Sequence, residues 1–441
     1  MATSYLPYDP TQTLLLPPAL QEWLPEGHLA YYISDTVDAL ELSAFHARYA
    51  GGGPRNQPFD PAMMVKILLY GYATGVFSSR KIARKLHEDV AFRVLAAGNY
   101  PKHRTICEFR ALHLKELSAL FVQVVQLARE CGLVKLGTIA VDGTKIKANA
   151  SRHKAMSYKR MREEQADLEA QIQALLDHAQ AADRAERDEP ELDVPAELER
   201  REARLAVIKA ARERLEARQA EQDRAKGRGP DDDRRPKGKD GKPKGGRYKR
   251  DFGVPEDSAQ ESFTDPDSRI MKRAGGGFDQ SYNAHTAVDD AAQIIVAAEL
   301  TNNAADADRL PVLLDAVKAN LKATPATALA DTGFRSEAVF AQLAAGPTEA
   351  IVALGREGRA LLKIDAAKHP HTLAMAARLD TERAKAAYRR RKAIVEAPNG
   401  WIKNVLGFRQ FSLRSLDKVR EEFKLVCLAL NLRRMSYLVK P

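Results

Sequence analysis

Cysteines and long apolar runs are both scarce in this sequence of 441 residues. Its 3 cysteines are odd in number and far apart, at Cys107, Cys131 and Cys427, so they predict neither a disulfide framework nor a zinc site. No apolar run approaches the roughly 20 residues that a transmembrane helix needs, and the N-terminus lacks the pattern of a signal peptide. We therefore expect a reduced, cytoplasmic protein that does not act in a membrane.

Acidic residues are outnumbered, since the chain has 59 aspartates and glutamates against 69 lysines and arginines. The formal net charge of +10 favours a polyanionic partner, for which nucleic acid is a better candidate than a membrane surface. The alternative is a basic excess that serves only solubility. At this length the chain exceeds one ordinary domain and can bury a large core.

The first third of the sequence has the pattern of short helices. Residues 1–57 are rich in proline and aromatic residues, which indicates an arm with short helices, and residues 58–132 form a helical region. Asp60 is suited to cap the first clear helix, with Pro61 at its first position. Further on, Thr105 opens a capping-box pattern that predicts the start of one long helix.

A basic face lies on the second helix of this region, which begins near Ser78. A tight turn and a further helix follow, as in a helix-turn-helix unit that binds DNA. A helical bundle with a solvated basic face fits the same pattern, so the sequence alone leaves both interpretations open. The candidate DNA-binding cations of this face are Arg80, Lys81, Arg84 and Lys85.

A short strand-like run at 136–147 marks a change of architecture. Its apolar residues lead without a helical period into Asp142 and Gly143, which is the pattern of a central strand that presents one carboxylate at its end. After an interruption, strands and helices alternate again, and a second strand-like run ends at Asp331. The predicted α/β core therefore has two pieces and a closing C-terminal helix, at 133–150, 262–410 and 411–441.

The interruption is rich in Ala, Glu, Arg and Leu and predicts an antiparallel helical hairpin over residues 151–223. Apolar residues recur at spacings of three and four in each half, and Pro190 and Pro195 separate the halves. Two interpretations of the hairpin stay open. It is either an arm that binds DNA or a partner subunit, or an insertion that packs only on itself. The Gly-, Pro-, Lys- and Arg-rich stretch at 224–261 predicts a basic disordered linker, which contacts phosphates or is a plain connection.

Three acidic residues are candidates for a shared metal site. Because parallel strands end at the same edge of a sheet, about 4.8 Å apart, Asp142 and Asp331 can share a pair of cations. Glu396, on a strongly basic helix after residue 381, can complete the set. Carboxylates are hard oxygen ligands suited to Mg²⁺ or Mn²⁺, and two such ions assist displacement at phosphorus. The alternative is three unrelated surface acids.

These stretches together resemble the bacterial insertion-sequence transposases of the DDE class. The resemblance rests on the motifs around the three acids, on two further short motifs and on the N-terminal helical run. Their positions are 140–145, 330–334, 388–403, 264–269, 407–411 and 59–109. The family has an RNase H-like catalytic core, and the motifs match its branch with a helical insertion after the first aspartate. The implied fold is an α/β, RNase H-like mixed-sheet core with an all-α N-terminal region and a helical insertion.

The resemblance implies that Asp142, Asp331 and Glu396 are the catalytic residues and hold two Mg²⁺ or Mn²⁺ ions per active site. It implies double-stranded DNA as the partner, both as element ends and as target, bound by a homodimer or higher oligomer. It also implies a place in the bacterial cytoplasm, associated with the nucleoid. The implied reaction is hydrolysis at the element end, followed by attack of a 3′-hydroxyl on target DNA.

The family's Tyr-Arg-Glu-Lys signature gives the remaining DNA-contact candidates. Lys403 is separated from Glu396 by the expected six residues. The arginine position stays ambiguous, because Lys392 has the expected spacing to Glu396 but is a lysine, whereas Arg391 lies one residue too far away. Tyr388 is the tyrosine of the pattern.

We therefore expect a DNA transposase, and two alternatives stay open. One is an RNase H-like nuclease that hydrolyses DNA without strand transfer, which the detection of joined product would separate from a transposase. The other is a non-catalytic DNA-binding protein derived from a transposase, for which Asp142→Ala should change nothing beyond stability.

Overall fold

The computed structural model has a helical N-terminal part, a mixed sheet and a long C-terminal helix, with a helical hairpin inserted after the first core strand. The N-terminal helices and the sheet share one apolar core, and the hairpin has another. The residues that the structure describes are 19–49, 58–151, 154–184, 194–230, 234–235, 246–273, 275–355 and 364–439. No helix in these ranges is both long enough and apolar enough to span a membrane.

Short helices make up the described N-terminal part, as expected. They are α1 (Leu29–Ala39), α2 (Ser43–Ala47), α3 (Pro61–Ala73), α4 (Ser79–Glu88), α5 (Val90–Leu95), α6 (His103–Leu112) and α7 (Leu114–Glu130). The predicted cap of α3 is confirmed, since the Asp60 carboxylate accepts a hydrogen bond from the backbone N–H of Met63 at 3.1 Å and Pro61 is the first helical residue. Almost every residue of α3 is buried, which places this helix at the centre of the N-terminal part.

The prediction of one long helix that starts with a capping box at Thr105 is wrong. Helix α6 begins two residues earlier, at His103, and the chain breaks at His113 before α7 starts. His113 is completely buried, its Nε2 lies 3.1 Å from the hydroxyl of Tyr49, and its ring contacts that of Phe109. The break lets α6 pack on α4, while α7 packs on the C-terminal helix of the protein.

The central sheet is mixed and confirms the RNase H-like α/β fold. The described strands are β1 (Thr138–Lys147), β2 (Ala155–Ser157), β3 (Gln260–Ser262), β4 (Arg269–Lys272), β5 (Phe278–Asp289), β6 (Ile295–Thr301), β7 (Thr327–Ala330) and β8 (Glu349–Val352). Strands β1, β5 and β6 are antiparallel neighbours, whereas β1, β7 and β8 are parallel. Strand β4 pairs with the start of β5, and β1 therefore lies in the middle of the sheet.

The insertion between β1 and β4 contains the expected helical hairpin. Helices α8 (Tyr158–Arg184) and α9 (Val194–Ala225) pack along each other around their own apolar core. Ion pairs join their flanks, as between Arg204 and Glu164 at 2.9 Å. Strands β2 and β3 form a separate two-stranded sheet beside the hairpin, which the sequence did not predict.

Part of the stretch expected to be a disordered linker has defined contacts. Arg228 is buried, donates to the carboxylate of Asp223 at 3.2 Å, and places its guanidinium 4.1 Å from the ring centre of Tyr248. Residues 231–233 and 236–245 of this stretch lie outside the described residues, so the prediction of disorder is not tested there.

The helices after the insertion position the two halves of the molecule. They are α10 (Arg309–Leu321), α11 (Glu337–Ala344), α12 (Pro370–Leu379), α13 (Glu382–Gly400) and α14 (Leu416–Leu438). Helix α14 lies between the sheet and the N-terminal part, where it contacts β6, α7 and α3. Helix α13 is the predicted basic helix, and it crosses β5, β1 and β7.

A buried carboxylate links α14 to the N-terminal helices. Glu422 is completely buried and accepts hydrogen bonds from the backbone N–H groups of Ser412 and Leu413 at 3.1 and 3.0 Å. Burial raises the pKa of Glu422, and its hydrogen bonds and the charge of Arg110 on α6 partly oppose that shift. Arg110 also donates to the hydroxyl of Tyr72 on α3 at 3.1 Å, so one network joins α3, α6 and α14.

We expect Glu422→Ala to lower the free energy of unfolding by about 3 kcal/mol, because it leaves the N–H groups of Ser412 and Leu413 without their acceptor and removes the buried negative charge that acts on Arg110. Denaturant unfolding followed by circular dichroism measures this change. The matched control is Asp417→Ala on the same helix, since the Asp417 side chain is 93% exposed and its loss should cost less than about 1 kcal/mol. Equal stability of the Glu422 variant and the parent protein would refute the linking role.

Candidate active site at the edge of the sheet

Two of the three predicted acids lie side by side where β7 ends. The expectation that the first core strand ends at Asp142 is wrong, because β1 continues through Lys147 along β5. Strands β1 and β7 are parallel, and Ala140 pairs with Leu329. Asp142 and Asp331 each lie two residues further along, at the same level of the sheet edge. Asp331 is fixed there by the backbone N–H of Gly333, which donates to its carboxylate at 2.9 Å.

The two carboxylates affect each other electrostatically. Burial raises the pKa of Asp142 to about 6, and the negative charge of Asp331 contributes to that rise. An acid with a raised pKa beside a second acid is a sign of concentrated negative charge. The predicted meeting of the two aspartates is therefore present in the fold.

Helix α13 supplies the side chains that hold Asp142. The side-chain amide of Asn399 donates to the Asp142 carboxylate at 3.4 Å, and Thr286 on β5 donates to the amide oxygen of Asn399 at 3.2 Å. The charge of Arg391 lowers the pKa of Asp142 against the larger effect of burial. Sequence reasoning missed Asn399, because an amide two residues before a tryptophan carries no signal of its own.

Arg391 and Lys392 have opposite environments, which bears on the ambiguous arginine of the signature. Arg391 is 7% exposed, and two of its guanidinium nitrogens are buried without a hydrogen-bond partner among the described residues. Its guanidinium lies 5.8 Å from the ring centre of Tyr388. Lys392 is exposed. Of the two cations, Arg391 is the one directed towards Asp142.

Glu396 does not join the aspartates in this structure. It is exposed on α13, three residues before Asn399. In the part of the chain that the structure describes, no three His, Cys, Asp or Glu side chains are arranged to hold a metal ion. Lys403 lies on a π-helical turn after α13 and is half-buried, and the charge of Asp142 acts on it.

A third aspartate near the pair was not predicted. Asp306 accepts hydrogen bonds from the side-chain amide of Asn283 at 2.6 Å and from Lys145 at 3.4 Å, and Nε2 of His285 lies 2.8 Å away. Burial would raise the pKa of Asp306, but the contacts with His285 and Asn283 lower it to about 2. The surroundings of Asp306 thus favour its ionised form, whereas those of Asp142 favour the protonated form.

Two glycines allow Asp306 to approach the pair. A Cβ atom at Gly143 would lie 2.9 Å from Oδ1 of Asp306 and 3.1 Å from the ring of His285. A Cβ atom at Gly333 would lie 3.0 Å from Asp306 and from Asp331. These glycines, one and two residues after the paired aspartates, were the sequence signal for this close packing.

The basic face of α4 is solvent-exposed, as expected, but partly paired. Arg80, Lys81 and Arg84 are exposed and Lys85 is half-buried. Two of these cations have acidic neighbours on the same helix or at its end: Arg84 lies 3.5 Å from Glu88, and Lys85 lies 3.4 Å from Asp89.

The fold and the paired carboxylates define an α/β protein with an RNase H-like core and an acidic site beside the central strand β1, where the neighbouring strand β7 ends. Residues 252–432 match the family model described as Transposase DDE domain, and residues 18–112 match the one described as Transposase domain (DUF772). The chain belongs to the DDE transposases of insertion sequences. No curated protein and no solved structure matches it.

DDE transposases normally use divalent metal ions, and the chemistry of this edge fits such an ion. Asp142 and Asp331 offer hard oxygen donors of the kind that Mg²⁺ and Mn²⁺ prefer. Burial and, after it, the charge of Asp331 raise the pKa of Asp142, and a divalent cation would stabilise both carboxylates in their ionised forms. Asp331 and Glu396 lie within the matched DDE domain, and Asp142 precedes it.

We expect Asp142→Asn to stabilise the metal-free protein at about pH 7. The pKa of Asp142 rises from 3.8 to about 6 on folding, so the folded state binds the proton more tightly and ionisation destabilises it as pH rises through that window. The shift corresponds to roughly 3 kcal/mol as an upper bound. Thermal unfolding in a chelator should show a higher melting temperature for the variant at about pH 7 and no gain below the unfolded pKa.

The control for this experiment is Asp417→Asn, an exposed site on α14 where the same substitution should leave the melting temperature unchanged. Excess Mg²⁺ should narrow the difference between the Asp142 variant and the parent, because the ion stabilises only the charged pair. If the Asp142 variant melts at a lower temperature than the parent in chelator at about pH 7, the claim that ionised Asp142 destabilises the metal-free protein is wrong.

Proposed function

We propose that the protein binds the ends of its insertion sequence, cleaves the DNA there and joins the freed 3′ ends to target DNA. The observation that carries this proposal is the register of β1 and β7, which places Asp142 and Asp331 at the same level, where β7 ends. Two Mg²⁺ or Mn²⁺ ions, held by Asp142, Asp331 and Glu396, would stabilise the attacking and leaving oxygens of displacement at phosphorus. The family supports this chemistry, and the residues that perform it are our assignment.

Each side chain of the edge has a proposed part in the reaction. Asp142 and Asp331 act in their ionised forms, and the hydrogen bond from Asn399 fixes one oxygen of Asp142. Arg391 keeps Asp142 from becoming still more basic, and its unpartnered guanidinium nitrogens are suited to a phosphate oxygen. Residues three apart on a helix are neighbours, so Glu396 is next to Asn399, and we propose that it turns towards the aspartates when DNA and metal are bound.

The DNA contacts are also part of the proposal. Phosphates near the cut would meet cations of α13 and the turn after it, while the exposed face of α4 would bind the element end. The partner is double-stranded DNA bound by a homodimer or higher oligomer, in the cytoplasm at the nucleoid. The proposed contact residues are Tyr388, Arg391, Lys392, Lys403, Arg80, Lys81, Arg84 and Lys85.

We expect Asp142→Asn, Asp331→Asn and Glu396→Gln each to reduce cleavage by more than about a hundredfold. Loss of a residue that only hydrogen-bonds a metal ligand costs at most about that much, so a larger loss indicates a ligand. The substrate is a duplex that carries the gene's own flanking sequence, incubated with Mg²⁺. Binding of the same duplex, measured in a chelator, should stay within about twofold of the parent, because none of the three acids is assigned to DNA binding.

Matched controls are Glu382→Gln, exposed on the same helix as Glu396, and Asp417→Asn on α14, both of which should retain full cleavage. Cleavage that survives in any one of the three variants removes that residue from the site. Joined product in addition to cut ends distinguishes a transposase from a nuclease of the same fold.

One observation favours a second candidate function. Glu396 is exposed and apart from the aspartates. A non-catalytic DNA-binding protein derived from a transposase would not need the three acids to meet. That protein would bind the flanking DNA but cleave nothing with either Mg²⁺ or Mn²⁺, and Asp142→Asn would change its stability alone. The cleavage assay on the unaltered protein decides between the two.

We expect Arg391→Ala and Lys392→Ala to differ, although they remove the same charge from adjacent positions. Loss of Arg391 removes the cation that opposes the raised pKa of Asp142, so the acid limb of the pH profile of cleavage should move to higher pH. Its rate at about pH 7 should fall at least tenfold. Loss of Lys392 should weaken DNA binding and leave the profile in place.

Arg391→Lys is the informative third variant, because it keeps the charge but loses the bidentate fork. It should restore the position of the pH profile without restoring the full rate. A profile that is identical in the parent and in Arg391→Ala would rule out the electrostatic role of Arg391.

A further inference from the structure

A basic cleft opens beside the paired aspartates, and of its cations only Lys403 was among the predicted DNA contacts. The cleft has a volume of about 720 Å³ and begins at Gly143, next to Asp142. Its walls are the second half of β1, the turn between β4 and β5, the start of β5 and the turn after α13. The cations that line it are Lys145, Lys147, Lys272, Arg273, Lys403 and Arg409.

Backbone hydrogen bonds fix two of these walls to each other. The N–H of Lys147 donates to the carbonyl of Arg409 at 3.2 Å, and the N–H of Phe411 donates to the carbonyl of Lys147 at 2.9 Å. Lys145 and Lys147 alternate with a buried residue on one strand, so they share a face and lie about 7 Å apart. That spacing is comparable with the separation of neighbouring phosphates along a nucleic-acid strand.

The positive charge of the cleft is only partly balanced. Asp279 is the one carboxylate among the described lining residues, and it bonds Arg273 at 3.1 Å, while Lys145 pairs with Asp306 outside the cleft lining at 3.4 Å. Burial lowers the pKa of Lys403, the charge of Asp142 opposes that shift, and the charges of Lys145 and Arg409 add to it. Cations that crowd one another in a half-buried cleft are suited to an anionic ligand with several charges in a row.

We propose that this cleft binds the phosphate backbone of the DNA strand that enters the active site. The contacts are lysine and arginine side chains on phosphate oxygens, which give affinity and register without base specificity. The volume suits the backbone of one strand and is too small for a whole duplex. This inference rests on the proposed function, since it takes the strand that leads to Asp142 and Asp331 as the one that is cut.

The test removes two cleft lysines that have no part in the acidic site, as Lys147→Ala/Lys272→Ala. Binding of a fluorescein-labelled DNA duplex of unrelated sequence is measured by anisotropy in a chelator, across a series of salt concentrations. We expect affinity at about 0.1 M salt to fall at least tenfold. The plot of log affinity against log salt should become shallower by about 1.8, which is about 0.9 for each lost phosphate contact.

The matched control is Lys115→Ala/Lys318→Ala, which removes the same charge from exposed positions on α7 and α10 outside the cleft. It should change neither the affinity by more than about twofold nor the salt slope. An unchanged slope in the cleft variant overturns the proposal, and so does an equal change in both variants, which would indicate net charge alone. Equal melting temperatures of the three proteins exclude misfolding as the cause.

Failure of this inference is separable from failure of the proposed function. The binding assay contains no divalent metal and requires no cleavage. If Asp142→Asn still cleaved DNA, the proposed active site would be refuted, but the salt dependence of binding would still support the cleft. If the cleft variant had the same salt slope as the parent, the role of the cleft would be refuted, but loss of cleavage in the variants of the three acids would still support the active site.

Discussion

The burial of two neighbouring carboxylates beside the central strand is the constraint on which the acidic site depends. Asp142 and Asp331 are brought to one level by the parallel register of β1 and β7, and Asp142 is fixed there by the pairing of β1 with β5 on its other side. The cost appears in the raised pKa of Asp142, which comes first from burial and then from the charge of Asp331. Perturbed acids of this kind cluster at functional sites, and the DDE transposases normally use divalent ions, which is why we propose this pair as metal ligands.

The surroundings hold this charge in place and do not remove it. Asn399 orients Asp142, Arg391 opposes its pKa shift, and both come from the face of α13 that lies on the sheet. The ionised form of Asp306 is stabilised by its contacts with Asn283, His285 and Lys145, so a third, differently stabilised carboxylate lies beside the pair. The helical N-terminal part is joined to this arrangement through α14, which couples the stability of the two halves.

The sequence was sufficient to predict that Asp142 and Asp331 lie close together, because the pattern that marks each of them is local. An apolar run that leads into Asp occurs twice, and the parallel pairing of the two runs places both aspartates at one level, although β1 itself continues past Asp142. The sequence did not predict which face of α13 lies on the sheet. Adjacent residues differ by about 100° around a helix, so only packing decides whether Arg391 or Lys392 faces Asp142. Asp306 and His285 lie in a loop and in mid-strand, where no pattern marks them. The break at His113 likewise depends on the burial of its ring against Phe45 and Tyr49, which lie more than sixty residues earlier in the chain.

Diffraction from crystals of the protein soaked with Mn²⁺, recorded at a wavelength where manganese scatters anomalously, tests the central claim most directly. The account predicts anomalous peaks in contact with the carboxylates of both Asp142 and Asp331, with Glu396 turned in and two ions about 3.5–4 Å apart when DNA is bound. Peaks that contact neither aspartate, or only one of them, at saturating Mn²⁺ would contradict it.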